Sequence, residues 1–148
     1  MTITNATAED LPAILQLQYQ AYQSEAVLLQ NFSIPPLRQT IAQLQEEFDC
    51  GIVLRAVESC AIIGSVRART EGDSLLIGKL IVDPAFQGRG IGTQLLLAIE
   101  RACPSARYEL FTSNKSEKNI RLYERAGYRR FDEITIGADL TLIYLEKP

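Results

Sequence analysis

An apolar run ending in Leu80-Ile81-Val82 stops at Asp83-Pro84, and the chain then reads Gln87-Gly88-Arg89-Gly90-Ile91-Gly92-Thr93. Asp-Pro is turn chemistry, and three alternating glycines make a loop with few Cβ atoms. The residues that follow, Thr93-Gln94-Leu95-Leu96-Leu97-Ala98-Ile99-Glu100, are helix formers. The stretch from Lys79 to Thr93 is therefore a strand, a glycine-rich loop and a helix N-terminus. Such a terminus offers unpaired N–H groups and the positive end of the helix dipole, a seat for an anion. The expectation is a phosphate-bearing ligand at residues 87–93.

Size and composition narrow what can surround that unit. A chain of 148 residues predicts one domain, 1–148. No apolar run approaches the roughly 20 residues of a membrane helix, and Met1-Thr2-Ile3-Thr4-Asn5 lacks the pattern of a signal peptide. Cys50, Cys60 and Cys103 are too few and scattered for a disulfide framework or zinc site, so they read as small buried or half-buried side chains in a reducing cytoplasm. There is no histidine, which removes Ser–His and Cys–His triads and the usual catalytic zinc ligands. No metal is expected.

Net charge is −3 but uneven: residues 79–130 hold ten basic and five acidic side chains, +5, and the remainder holds five and thirteen, −8. A basic segment around a glycine-rich loop suits a small polyanion. Nucleic acid is disfavoured, because the chain is acidic and has no Lys/Arg-rich run. The acidic remainder leans toward a cationic second ligand.

Taken in order, Ile3–Ala6 reads as a strand and Thr7-Ala8-Glu9-Asp10 as a capping-box-like helix start. Leu11, Ile14, Leu15, Tyr19 and Tyr22 recur at helical spacing to about Gln23. Residues 24–33 are ambiguous, and Pro35-Pro36 reads as a break. A second helix carries Leu37, Ile41, Leu44 and Phe48 on one face. Segments 52–58, 61–70 and 74–82 are joined by short turns and predict an antiparallel meander. A helix over about 90–102 stops before Pro104. The strand at 107–112 should run parallel to 74–82, since a helix connects them. A helix from Glu117 to Ala126 ends at Gly127, and strands near 128–132 and 140–146 close the chain. The order is β-α-α-β-β-β-α-β-α-β-β, an α+β domain with a mixed, mostly antiparallel sheet flanked by helices.

The residues carry a family resemblance. The chain resembles the GNAT superfamily of acetyl-CoA-dependent N-acetyltransferases. That family's pyrophosphate signature, Gln/Arg-x-x-Gly-x-Gly/Ala, is met by Gln87-Gly88-Arg89-Gly90-Ile91-Gly92, after Leu80-Ile81-Val82-Asp83-Pro84, which is similar to the family's fourth strand and turn. Asn119-Ile120-Arg121-Leu122-Tyr123-Glu124-Arg125-Ala126-Gly127-Tyr128 looks like its Leu-Tyr-x-x-x-Gly-Phe/Tyr helix end. The element order agrees over nearly the whole chain. One departure stands out: the asparagine many members place seven residues before the tyrosine is Ser116 here, with Asn119 only four before. The side-chain contact to cofactor near that helix falls to Ser116, Asn119 or neither.

The resemblance implies acetyl transfer from acetyl-CoA to a small-molecule or peptide amine by direct attack. Residues Gln87, Gly88, Arg89, Gly90, Ile91, Gly92 and Thr93 would hold pyrophosphate, mainly through the backbone. Leu80, Ile81 and Val82 would contact the pantetheine arm, and one of their N–H groups would face the thioester oxygen. Tyr123 is the candidate general acid, because a phenol near ~10 is still protonated when a thiol near ~8.5 departs as thiolate. Its bland alternative is core packing. The base is open between Glu109, Glu25 and water, and Glu25 serves equally as a contact for the acceptor's ammonium. Tyr19 and Tyr22 read as core, with a part in an acceptor pocket as the alternative. Arg67 and Arg69 share a sheet face and read as solvated, with a substrate carboxylate as the alternative. Assembly, on the family's pattern, would be a homodimer.

Two rivals are weighed. A dinucleotide-binding module fails because the third glycine of Gly-x-Gly-x-x-Gly would fall at Thr93, and no Gly-Lys-Ser/Thr follows for a Walker loop. The functional alternative is an acetyl-CoA sensor or assembly module with little turnover.

Overall fold

Four helical pieces separate the first strand from the rest of the sheet in a computed structural model describing residues 1–148. Strand β1 (Thr2–Asn5) leads through a 3-10 turn (Ala8–Asp10) to α1 (Leu11–Ala21), α2 (Gln23–Leu29), α3 (Pro35–Arg38) and α4 (Ile41–Cys50). The sequence predicts two helices here. Tyr22, at φ −85° and ψ 1°, leaves α geometry and divides α1 from α2, which fills the ambiguous stretch. Pro35 starts α3 instead of breaking the chain, since a first helical position needs no N–H. A capping box opens α4: Gln43 N donates to Thr40 Oγ1 at 3.2 Å, and Thr40 N donates to Gln43 Oε1 at 3.0 Å.

The expected meander follows as β2 (Ile52–Glu58), β3 (Ala61–Glu71) and β4 (Ser74–Val82), paired antiparallel. Then come α5 (Ile91–Ala102), β5 (Arg107–Ser113), α6 (Glu117–Arg125), β6 (Arg129–Thr135) and β7 (Thr141–Lys147). The seven strands form one sheet in the order β1-β2-β3-β4-β5-β7-β6, with β4 and β5 its parallel pair. This is the α+β architecture with a mixed, mostly antiparallel sheet.

Alternation along each strand sends neighbours to opposite faces, and each face has its own core. Leu54, Val66, Ile77 and Leu110 pack with Leu95, Leu96 and Ile99 of α5 and with Ile120 and Tyr123 of α6. Val53 packs on the other side with Ile14 of α1 and Leu44 of α4. Buried Glu100 of α5 accepts from Tyr128 Oη at 2.7 Å and Lys147 Nζ at 2.9 Å, tying α5 to the residue before β6 and to β7.

Two cysteines depart from the expectation of burial. Cys50 and Cys60 are exposed, and Cys103 is half-buried. Cys60 shares with Ser59 a two-residue hairpin turn in which both residues have positive φ, 66° and 51°. A turn tip projects into solvent. Cys50 ends α4 at the surface.

Candidate active site

Strand β4 pairs with β5 only at Ser74↔Arg107, Leu75↔Tyr108 and Leu76↔Glu109. Beyond these three rungs the strands part, and β5 pairs with β7 alone. The β5-facing backbone edge of β4 from Ile77 onward is left without a strand partner.

A bulge lies on this unpaired length. The register with β3 moves from Ser65↔Ile81 to Arg67↔Gly78, so Lys79 and Leu80 oppose one residue. Lys79 takes φ 50°, a conformation that strains a residue with a long side chain. Its ammonium is 4.0 Å from Glu47 Oε1. Burial lowers its proton affinity, the charge of Arg67 adds to that, and Glu47 opposes both. Past the bulge, Ile81 is buried and pairs with Ser65, and Val82 pairs with Gly64.

The chain then turns at Asp83, whose carboxylate accepts from Ala85 N at 2.9 Å. Gln87 Nε2 donates to the Val82 carbonyl at 3.3 Å, bracing the loop on the end of β4. Arg89 lies over the Phe86 ring, 5.0 Å from its centroid. Gly88 and Gly90 have φ of 81° and 79°, and a Cβ at either would meet open space. Their role is thus conformational: they point backbone N–H groups outward. The N–H groups of Gly88, Arg89, Gly90, Ile91, Gly92 and Thr93 donate to nothing in the protein; the first helical donor is Gln94, to the Gly90 carbonyl at 3.1 Å. Gly92 differs, because a Cβ there would approach Leu122 Cδ1 to 3.3 Å. Its smallness lets α5 close on α6. Buried Ile91 anchors the first turn, and exposed Thr93 faces solvent. An outward row of unpaired donors on a helix start fits a diphosphate.

Six consecutive unpaired N–H groups thus lie at the loop that follows a splayed parallel strand pair. The model for the acetyltransferase (GNAT) domain matches residues 49–130, more than half of the chain. The protein belongs to the GNAT family. Solved structures share its fold. The PaiA N-acetyltransferase of Thermoplasma acidophilum in complex with coenzyme A superposes with TM-score 0.82 at 16% identity, over 99% of this chain and 97% of that one. The ribosomal-protein-alanine N-acetyltransferase of Brucella melitensis gives 0.76 at 22%, over 99% of each chain. A phosphinothricin acetyltransferase of Sinorhizobium meliloti in complex with acetyl-CoA gives 0.78 at 18%, over 99% and 87%. At such identities the likeness is one of fold. Two of these structures carry coenzyme A or acetyl-CoA, and this GNAT protein has an acetyltransferase domain.

In this GNAT domain the side chains singled out above fall into two groups. Tyr123 is buried in α6, its ring 6.3 Å from that of Tyr128. Burial raises its proton affinity, and the charges of Tyr22 and Glu25 add to the effect. Ser116, the N-cap of α6, donates its hydroxyl to the Glu25 carboxylate, with both oxygens at 2.7 Å. Tyr22 is pushed up to about 12 by burial, with Arg67 opposing and Glu25 and Glu47 reinforcing. Tyr22, Glu25 and Tyr123, drawn from α1–α2 and α6, are thus within electrostatic reach of one another, with Ser116 bonded to Glu25. Asn119 stands apart on the exposed face of α6. Tyr19 packs against the smaller core and donates its hydroxyl to the Gln39 carbonyl.

Glu109 belongs to the second group, a cleft on the sheet face away from α5. It accepts from Arg107 Nη1 at 2.7 Å, and Arg107 Nε donates to Glu146 at 2.7 Å. Arg67 overturns the expectation of a solvated side chain: it is 5% exposed, while Arg69 is exposed as expected. Arg67 is enclosed because α1 and α4 lie over that face. Its Nη2 donates to Gln18 Oε1 at 2.6 Å and Gln39 Oε1 at 3.0 Å. Glu47 Oε2 is 3.1 Å from Nε, close enough for an ion pair but out of line for a hydrogen bond.

Gln18, Gln39 and Glu47 were missed by sequence reasoning. A signal exists for two of them. Gln18 falls four after Ile14 and three after Leu15, on the apolar stripe of α1, and is fully buried. Glu47 falls three after Leu44 on α4. A polar side chain on an apolar stripe needs a partner, and Arg67 is that partner.

Proposed function

We propose that the protein is an N-acetyltransferase that moves the acetyl group of acetyl-CoA to a primary amine by direct attack. The observation that carries this reading is the three-rung junction of β4 and β5, which opens straight into six unpaired loop N–H groups. When bound there, acetyl-CoA supplies an activated acyl group as a thioester. The protein's share is to hold, orient and manage protons. Residues 87–93 hold the diphosphate through the backbone. Leu80, Ile81 and Val82 present the freed edge of β4 to the pantetheine arm, and an N–H on that edge faces the thioester oxygen. Such a donor is worth ~10²–10³ in rate.

Tyr123 serves the leaving group. Its phenol stays protonated across the physiological range, because burial disfavours the phenolate. Against a thiol near ~8.5, complete proton transfer from so firmly protonated a phenol is uphill. Tyr123 therefore acts first as a hydrogen-bond donor to the departing sulfur, with the proton following from solvent. On the acceptor side, Glu109 has Oε1 engaged by Arg107. Glu25 has the neutral Ser116 hydroxyl as its hydrogen-bond partner and no cation paired with it. We assign Glu25, with Tyr22, to the incoming ammonium, and proton removal to Glu25 or to water beside it. Ser116 then positions Glu25.

Steady-state release of free CoA across a panel of amines tests the proposal. Acceptor-dependent release is expected. Tight cofactor binding with no release for any amine would make the domain a sensor. Trapping an acetylated protein on incubation with acetyl-CoA alone would overturn direct attack.

A further inference from the structure

The cleft beside the splayed strands has a volume of about 380 Å³ and is lined by Glu47, Arg67, Arg69, Lys79 and Glu109 together with apolar groups. Three cations face two carboxylates, and both carboxylates are engaged. Arg107 holds Glu109 at 2.7 Å, and Gln39 Nε2 donates to Glu47 at 2.9 Å. The cations keep donors free. Arg67 Nη1 has no partner, and Nε has only the Glu47 carboxylate, 3.1 Å away and out of line for a hydrogen bond, although the side chain is only 6% exposed. Lys79 Nζ has its nearest carboxylate oxygen 4.0 Å away. Arg69 makes a long ion pair with Glu71, 3.8 Å. A buried guanidinium with open N–H groups is costly unless something accepts from them. The unused hydrogen-bonding capacity of the cleft is thus cationic donors, and what fits them is an anion.

The other end of the site has the opposite character. Glu25 lies near Tyr123, and Tyr22 is within electrostatic reach of Arg67, Glu47 and Glu25 at once. An acceptor spanning the two ends carries an amine at one and a negative charge at the other. Leu76, Phe111 and Tyr144 supply the cleft with an apolar wall. Such an environment rejects polycations, despite the acidic balance of the chain outside residues 79–130.

We infer that the acceptor is a free amino acid, its carboxylate seated on Arg67 and Lys79 and its amine directed to the thioester. The inference rests on the acetyl-transfer reading and adds a substrate class to it. Arg67 Nε and Nη1 are closed off from solvent. The Glu47 carboxylate, on a side chain 40% exposed, turns outward to let the ligand reach them. Glu47 is a competitor for the guanidinium, and its removal should strengthen the site.

Calorimetry on the CoA-bound protein tests this without turnover. The probes are the N-acetyl derivatives of glycine, L-leucine, L-phenylalanine and L-glutamine, each against its carboxamide. At least one carboxylate should bind about tenfold or more tighter than its carboxamide, the worth of a charge-assisted hydrogen bond. Lys79→Met should erase most of that preference, and Glu47→Gln should enlarge it. The opposite signs guard against general loss of structure, which would weaken both variants alike. No discrimination in any pair, or a Glu47→Gln variant that binds the carboxylate more weakly while folded, overturns the inference. CoA release driven equally by alkyl amines and amino acids also overturns it and leaves acetyl transfer standing. No release with any amine, together with retained discrimination in calorimetry, overturns acetyl transfer and leaves the carboxylate seat.

Discussion

The proposed cofactor loop and the proposed acceptor cleft are built in opposite ways from adjoining lengths of one strand. The loop at residues 87–93 is local in sequence and works through the backbone: six N–H groups point outward because Gly88 and Gly90 adopt positive φ. The cleft is assembled from residues far apart in the chain, Gln18, Gln39, Glu47, Arg67, Lys79 and Glu109, and works through side-chain charge. A backbone site tolerates most side chains and fixes one ligand. A side-chain site can be rewritten residue by residue. This division lets one fold keep its donor while its acceptors change.

The largest expected effect breaks the loop. Gly90→Val should weaken CoA binding about a hundredfold or more, since a β-branched residue resists φ near 79° and two charge-assisted hydrogen bonds are lost. Gly72→Val is the matched control. It has φ 60° and open space around its Cβ, in the β3–β4 turn away from the loop. If calorimetry finds the two variants equally impaired, strain and not the phosphate seat explains the loss. Next, Tyr123→Phe should lower kcat at least about tenfold with CoA affinity nearly unchanged, below the ~10²–10⁴ of full acid catalysis. Unaltered turnover, with chemistry rate-limiting, would leave the ring its packing role only.

The smallest effect is on stability and separates the pH-insensitive backbone from the tyrosines. Tyr22, Tyr123 and Tyr128 all hold their protons more firmly than a free phenol, with burial the main cause. Above the free-phenol value near ~10 the folded chain binds more protons than the unfolded one. Stability is therefore full below that pH and falls as pH rises through it toward the folded values. Denaturant midpoints measured upward from pH 9 should show the decline, and Tyr128→Phe should make it shallower. An unchanged slope in that variant would remove Tyr128 from the account.

How much could be read from residues alone follows the same division. The strand–loop–helix unit was legible because it is a run of consecutive residues, and the end of α6 because its motif is short. The meander and the parallel pair were legible from turn lengths and the crossover helix. Arg67 was not. A residue on an alternating strand reads as solvated unless one knows which helix covers that face, and α1 and α4 arrive from before β2. The break between α1 and α2 depends on two dihedral angles at Tyr22, which no periodicity reports. The bulge at Lys79 was equally hidden, because positive φ at a lysine is set by the pairing of β4 with β3.

The three-rung junction of β4 and β5 also has a mechanical meaning. Hydrogen bonds hold the β1-to-β4 sheet and the β5-β7-β6 sheet together only at one end, like two boards on a short hinge, with the core beneath as the spring. A ligand lying along the open seam contacts both boards and acts as a wedge that sets their angle. Cofactor occupancy should then slow amide exchange along the far half of β4, from Ile77 to Val82, while Ser74 to Leu76 exchange as before. On the proposed reading the donor substrate joins the sheet for the time it is bound, and the acceptor then meets a cleft whose width its partner has set.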